Sequence, residues 1–179
     1  SVWRQFVGYF RFLLEELRAG RRLTELTPIM GIERIEPHPG PRYTKPIIVL
    51  VNELDFSAGD FLPAVLQDNG RAKLFGVRTA GAGGAVKATQ FPNPFGIAQL
   101  AYTWTLAMRA NGRPIENLGV SPEYTYRLSA RDMTEGFSGY REALNAAVEA
   151  EIASAPAEPA PVAPAAPEPA PPVTPTPPA

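Results

Sequence analysis

The 179 residues contain no cysteine and a single histidine. The first absence excludes a disulfide framework, a thiolate zinc site and a cysteine nucleophile. The second argues against a metal centre that needs two imidazoles. Charge of one sign is missing too. With 17 Lys and Arg against 18 Asp and Glu, nothing marks a nucleic-acid or anionic-membrane surface. The longest aliphatic run, Ile47 to Val51, is far too short to cross a bilayer. Neither an initiating Met nor a charged, apolar, small-residue leader pattern opens the chain. The chain is therefore expected to begin inside something longer, or after a processing site.

Proline is abundant and uneven. Of the 21 prolines, 11 fall in residues 154–179, where Pro, Ala, Val and Thr carry only two charges. Such a stretch buries too little apolar surface to offset its ordering entropy, so a disordered, polyproline-type tail is expected. The preceding 153 residues suffice for one domain, or one domain with an appendage. A chain of that size buries roughly two-thirds of its unfolded surface. The expected division is residues 1–45 as helix and connector, 46–153 as the core, and 154–179 as the tail.

Hydrophobic spacing supplies the elements. Trp3, Phe6, Val7, Phe10, Leu13, Leu14 and Leu17 recur at three- and four-residue steps, predicting one apolar helix face over residues 2–19, with Gly20 as the stop. Arg4, Arg11 and Arg18 lie seven apart on another face and read as solvated. Residues 21–45, rich in Pro, read as a connector, and His38 between Pro37 and Pro39 as an exposed loop residue. The unbroken run Ile47–Val51 suits a strand covered on both faces. Ala58, Phe61, Leu62, Val65 and Leu66 follow helical spacing up to Asn69-Gly70, and a second strand is expected near 72–77. Strand, helix and strand in that order predict a βαβ unit. Beyond a glycine loop, residues 85–91 and 97–109 read as two strands. In the second, Leu100, Tyr102, Trp104, Leu106 and Met108 alternate strictly with smaller or polar residues, predicting a half-buried strand. Asn111-Gly112 marks a turn, and a last helix is expected over 138–152.

The junction Asn52-Glu53-Leu54-Asp55-Phe56-Ser57-Ala58-Gly59-Asp60 is the richest candidate site, because reactive groups in parallel-sheet folds gather where strands end and helices begin. A hydroxyl at Ser57 would face the positive end of a helix and free backbone donors, which suit a developing oxyanion. Capping the helix is the commoner job for a serine so placed. The loop Gly81-Ala82-Gly83-Gly84 fails as a phosphate cradle, since it lacks a Lys-Ser/Thr pair and leads into a strand. It reads as a backbone corner close to another chain or a bound peptide. Glu116 alone reads as a surface charge.

Taken together, Pro46–Glu53, Ser57-Ala58-Gly59-Asp60, Leu66-Gln67-Asp68-Asn69-Gly70-Arg71-Ala72 and Gly76-Val77-Arg78-Thr79 resemble the tail-specific (C-terminal-processing) serine protease family. Asn52–Ser57, Arg78–Gly84, Gln90-Phe91-Pro92-Asn93 and Ile115-Glu116-Asn117 with Gly119-Val120 are most similar to its chlamydial protease-like activity factor branch. The resemblance implies an α/β fold like the crotonase and Clp protease cores, with a mixed sheet around the βαβ unit. It implies Ser57 as nucleophile. The lysine of the usual Ser-Lys pair would stand where Ala82 is, and Lys45, Lys73 and Lys87 do not match that motif. The branch instead implies a Ser-His-Glu triad with its acid on Glu116, and its histidine on a segment upstream of this chain. His38, nineteen residues before Ser57 and with different neighbours, is not that residue. The Ala58 amide is the implied oxyanion donor; the second donor belongs to an upstream glycine motif.

The expectation is thus the C-terminal part of a serine endopeptidase, inactive by itself, with no cofactor and no metal. Its expected partners are a peptide or protein substrate and the upstream half of the same protease. Neither nucleic acid nor a transmembrane span is expected, and a homo-oligomer stays open. A bacterial periplasmic or secreted location is implied. Two rivals stand beside it: a degenerate protease-fold module that binds peptides or partner proteins, and an acyl-CoA enzyme of crotonase architecture.

Overall fold

The computed structural model describes residues 2–31, 40, 43–91 and 93–155. His38, Pro92 and the proline-rich tail beyond Ala155 lie outside the described residues. The chain divides into two compact units, residues 1–44 and 45–179.

In the first unit the described residues include helix α1, Val2–Arg18, and a short 3-10 turn at Ile29–Gly31. The periodicity that predicts α1 is borne out, and Gly20 follows it at φ 72°. The apolar stripe itself is largely uncovered: Trp3 is 80% exposed, and Phe10 and Leu17 are exposed as well. Among the described side chains of α1 the buried one is instead Glu16, which accepts Nε and Nη2 of Arg21 and the Glu25 amide. That arrangement closes the segment after Gly20 back onto the helix.

In the second unit, β1 (Ile48–Val51) runs parallel to β2 (Lys73–Gly76), and α2 (Ala58–Asp68) makes the crossover. This is the βαβ unit that spacing predicts. Ile48 pairs with Lys73 and Val51 with Gly76, so both strands deliver their C-terminal ends to the same edge. On the far side of β2 lies β5 (Tyr124–Thr125), also parallel, giving the order β1-β2-β5. β3 (Val86–Thr89) and β4 (Leu100–Thr103) form a separate antiparallel pair, so parallel and antiparallel pairings are both present, divided between two sheets. Two further helices follow among the described residues: α3, Ala130–Thr134, and α4, Ser138–Ser154.

Among the described residues, buried Val51, Ala64, Leu74, Ile115 and Val120 form one core cluster, with Val49, Phe61 and Ala107 packed on it. Sinking residues such as Leu74 and Val120 stabilises a fold by about 1.5–3 kcal/mol each. The core therefore clamps three pieces together: the βαβ unit, the segment 115–120, and the run after β4. That last run differs from expectation. From Trp104 to Arg109 the alternation holds but points the other way, with Trp104 and Leu106 exposed and Thr105, Ala107 and Arg109 turned inward. The inner side is close to its neighbours and takes small or hydrogen-bonding groups. Thr105 Oγ1 accepts the Ala85 amide, Ala107 packs on the core, and Arg109 grips Asp68. Regular strand pairing stops at Thr103, short of the expected 109.

Asn111-Gly112 turns as predicted, with Gly112 at φ 77° and its amide donating to the Arg109 carbonyl. α4 lays Tyr140 against Phe75 and Tyr126, three rings within 6 Å of one another centre to centre. Such edge-to-face and offset contacts favour the pair beyond the area they bury. Among the described residues, no helix is long and apolar enough to cross a membrane.

Candidate active site

β1 ends at Val51, and six residues later the chain enters α2 through Ser57. The link is braced by its own side chains: Asn52 Oδ1 accepts the Leu54 amide, and Asp55 Oδ2 accepts the Asn52 amide. Ser57 stands at the N-terminus of α2 with φ 55° and ψ −117°. A side chain at such a backbone angle is strained, typically by about 1–3 kcal/mol, and persists only when its surroundings enforce it. Ser57 makes no capping hydrogen bond and is exposed, which removes the ordinary account of a serine at this position.

The donors around it can be counted. The amides of Gly59, Asp60 and Phe61 bond to the carbonyls of Phe56, Ser57 and Ser57 in turn. The Ser57 amide donates to Ala82 O at 2.9 Å. The Ala58 amide, first in the helix, donates to nothing among the described residues. A free N–H at the positive end of a helix beside an exposed hydroxyl is suited to receive a developing negative charge.

The glycine loop packs against its own chain. Gly83 lies on Ile115 and Phe61, and a Cβ on Gly84 would run into the Thr103 side chain and the Thr105 carbonyl. Gly84 donates its amide to Glu116 Oε2 at 2.9 Å, and Thr103 Oγ1 donates to Glu116 Oε1 at 3.3 Å. Glu116 is half-buried and held between those two donors. It follows Ile115, a core residue, which fixes where its backbone leaves the interior. Gly81 O accepts the Asn117 amide at 2.7 Å, and Arg78 Nη1 donates to the carbonyls of Asn117 and Leu118. One loop, residues 81–84, thus touches both Ser57 and Glu116.

Two residues of this region escape sequence reasoning. Asp60 is fully buried and accepts Thr79 Oγ1 at 2.5 Å, the Gly81 amide at 3.0 Å and the Ala82 amide at 2.8 Å. Thr79 in turn accepts the Val120 amide at 2.8 Å. An acid in the first turn of a helix is ordinary, so its spacing from Ser57 gives no warning of this role.

A model of peptidase family S41 matches residues 16–126. The chain belongs to peptidase family S41. Within this S41 chain, 115 residues are 51% identical to an uncharacterized protein of Chlamydia muridarum, covering 64% of the chain and 19% of that protein. A carboxyl-terminal-processing protease of Picosynechococcus is 34% identical over 83 residues, covering 46% of the chain and 19% of that protein. Among solved structures, mature CPAF (the chlamydial protease-like activity factor) complexed with lactacystin superposes with a TM-score of 0.77 at 42% identity. That match covers 86% of this chain and 30% of CPAF. The S41 chain therefore spans about a fifth of the length of the curated relatives it matches. The expected α/β protease fold is borne out by these matches.

Proposed function

We propose that this S41 chain is the part of a serine endopeptidase that carries the nucleophile and the orienting acid. The observation that carries the reading is Ser57: exposed, uncapped, held at positive φ, with the free Ala58 amide beside it. Backbone strain of this kind clusters at active sites, where it is part of the mechanism.

In the proposed reaction a histidine from the upstream part of the same protease takes the Ser57 proton as the Ser57 oxygen attacks a peptide carbonyl carbon. The carbonyl oxygen becomes an oxyanion against the Ala58 amide. The imidazolium then gives its proton to the departing amine, and water, deprotonated by the same ring, releases the acyl group. Glu116 accepts the other ring N–H, fixes the tautomer and stabilises the charged ring. Its binding by Gly84 and Thr103 supports this part, since a carboxylate that orients another group must itself be oriented. By the same reading the isolated chain has little activity, because a triad without its base retains only about 10³–10⁴-fold acceleration over water. The family resemblance further supports an exported bacterial protein, periplasmic or secreted.

Peptide hydrolysis tests the proposal. The full-length gene product should cleave a peptide substrate, and this chain alone should not until the upstream segment is added in trans. Equal, negligible hydrolysis in all three samples would favour a degenerate binding module.

A further inference from the structure

Among the described residues, four large side chains are completely buried, Leu74, Val120, Thr79 and Asp60, and two of those four are polar. A buried carboxylate is costly unless donors surround it. Among the described residues, three donors reach Asp60, all from one segment, residues 79–82, and none from Lys or Arg. The chain also contains an internal comparison. Ser129-x-x-Asp132 opens α3 with a reciprocal capping box: the Ser129 hydroxyl accepts the Asp132 amide, and the Asp132 carboxylate accepts the Ser129 amide. Ser57-x-x-Asp60 has the same spacing at the start of α2 and forms neither bond. Asp60 turns to the glycine loop instead, and the carbonyl of Ala82, whose amide it holds, receives the Ser57 amide.

We propose that Asp60 is a positioning residue for Ser57. Its carboxylate gathers the Thr79 hydroxyl and the Gly81 and Ala82 amides, sets the Ala82 carbonyl, and through it holds Ser57 at positive φ with the Ala58 amide unoccupied. The inference rests on the reading of Ser57 as nucleophile, and adds to it the device that keeps the nucleophile in its strained pose. Thr79 belongs to the same device, because its oxygen joins Asp60 to the Val120 amide.

The test uses the full-length gene product with Asp60→Asn, Thr79→Val and Thr79→Ser, read by hydrogen exchange and by the rate of fluorophosphonate labelling. An amide at position 60 must set one of its own donors against a backbone N–H. Asp60→Asn should therefore speed exchange in residues 57–60 and 79–84 by about tenfold or more, the factor expected for one lost hydrogen bond, while other segments keep their protection. Labelling should slow by a similar factor, and on a peptide substrate kcat should fall with KM little changed. Thr79→Val should follow Asp60→Asn, and Thr79→Ser, which restores the hydroxyl, should behave as wild type. Unchanged exchange in those segments, or acceleration spread evenly over the protein, overturns the proposal; Thr79→Val decides if Asp60→Asn does not fold. A wild-type protein that takes no label refutes the nucleophile reading separately, and the exchange data then still decide whether Asp60 holds the loop.

Discussion

The Ser57 amide donates to the Ala82 carbonyl two residues before the glycine whose amide holds Glu116. Nucleophile and acid candidates, 59 positions apart in sequence, are thus fastened to one four-residue stretch of backbone. That loop therefore bonds to both candidates directly.

Removing the Ser57 side chain separates strain from capping. A capping serine replaced by alanine costs about 0.5–2 kcal/mol. At φ 55°, with no capping bond to lose, Ser57→Ala should leave stability within about 0.5 kcal/mol. Ser57→Gly, free of the Cβ penalty, should stabilise by roughly 1 kcal/mol. Denaturant melts of the three proteins check this; a loss above about 1 kcal/mol for both variants would mean that the hydroxyl supports the fold.

Gly84→Ala should separate Glu116 from the loop. The added methyl meets Thr103 and the Thr105 carbonyl, so the backbone must shift, at a cost of about 1–3 kcal/mol. The Gly84 amide then leaves Glu116. Peptide hydrolysis by the full-length protein should fall at least about tenfold, by loss of one oriented hydrogen bond, while the melt remains cooperative.

Arg109 ties the run after β4 to the C-terminal end of α2, with Nη2 at 2.5 Å from Asp68 and 2.7 Å from Gln67 Oε1. Both partners are mostly shielded, and the guanidinium hydrogen-bonded to Asp68 holds that carboxyl below its usual range. Arg109→Ala should destabilise by about 1–2 kcal/mol in a chemical melt. A double-mutant cycle with Asp68→Asn should show coupling between the two positions.

Acid should loosen the α3 end of the unit. Hydrogen bonds from the Ser129 side chain and backbone, with Tyr126 Oη and the Tyr140 amide, hold the Asp132 carboxyl down at about 2. A folded value below the unfolded one, about 3.9, means the stabilisation is complete above roughly pH 4 and fades as pH falls toward 2. Wild type should therefore melt above Asp132→Asn at pH 7, with the gap closing between about pH 4 and pH 2. A gap that persists at pH 2 would contradict the assignment.

The regular elements were legible because each has one dominant period. α1, β1, α2, β2 and α4 lie where their apolar residues predict. β5 has two residues and α3 five, too short to carry a period, and both escaped detection. The run 104–109 hides its facing, since Trp104 and Leu106 look like core while Arg109 and Thr105 are the inward, hydrogen-bonded set. At the site, Ser57 stood out by its junction, but the evidence against capping is a backbone angle no residue name reveals. Asp60 was hidden because its partners, 19 to 22 positions away, meet it only after the loop folds back.

Covalent labelling of the full-length gene product with a fluorophosphonate, mapped by peptide mass spectrometry, addresses the central claim directly. The account predicts one adduct on the Ser57 oxygen, absent in Ser57→Ala and formed at least about a hundredfold more slowly in Glu116→Gln, where the ring loses its charged partner. An adduct elsewhere, or labelling of Ser57 at the same rate with and without the Glu116 carboxylate, would contradict it.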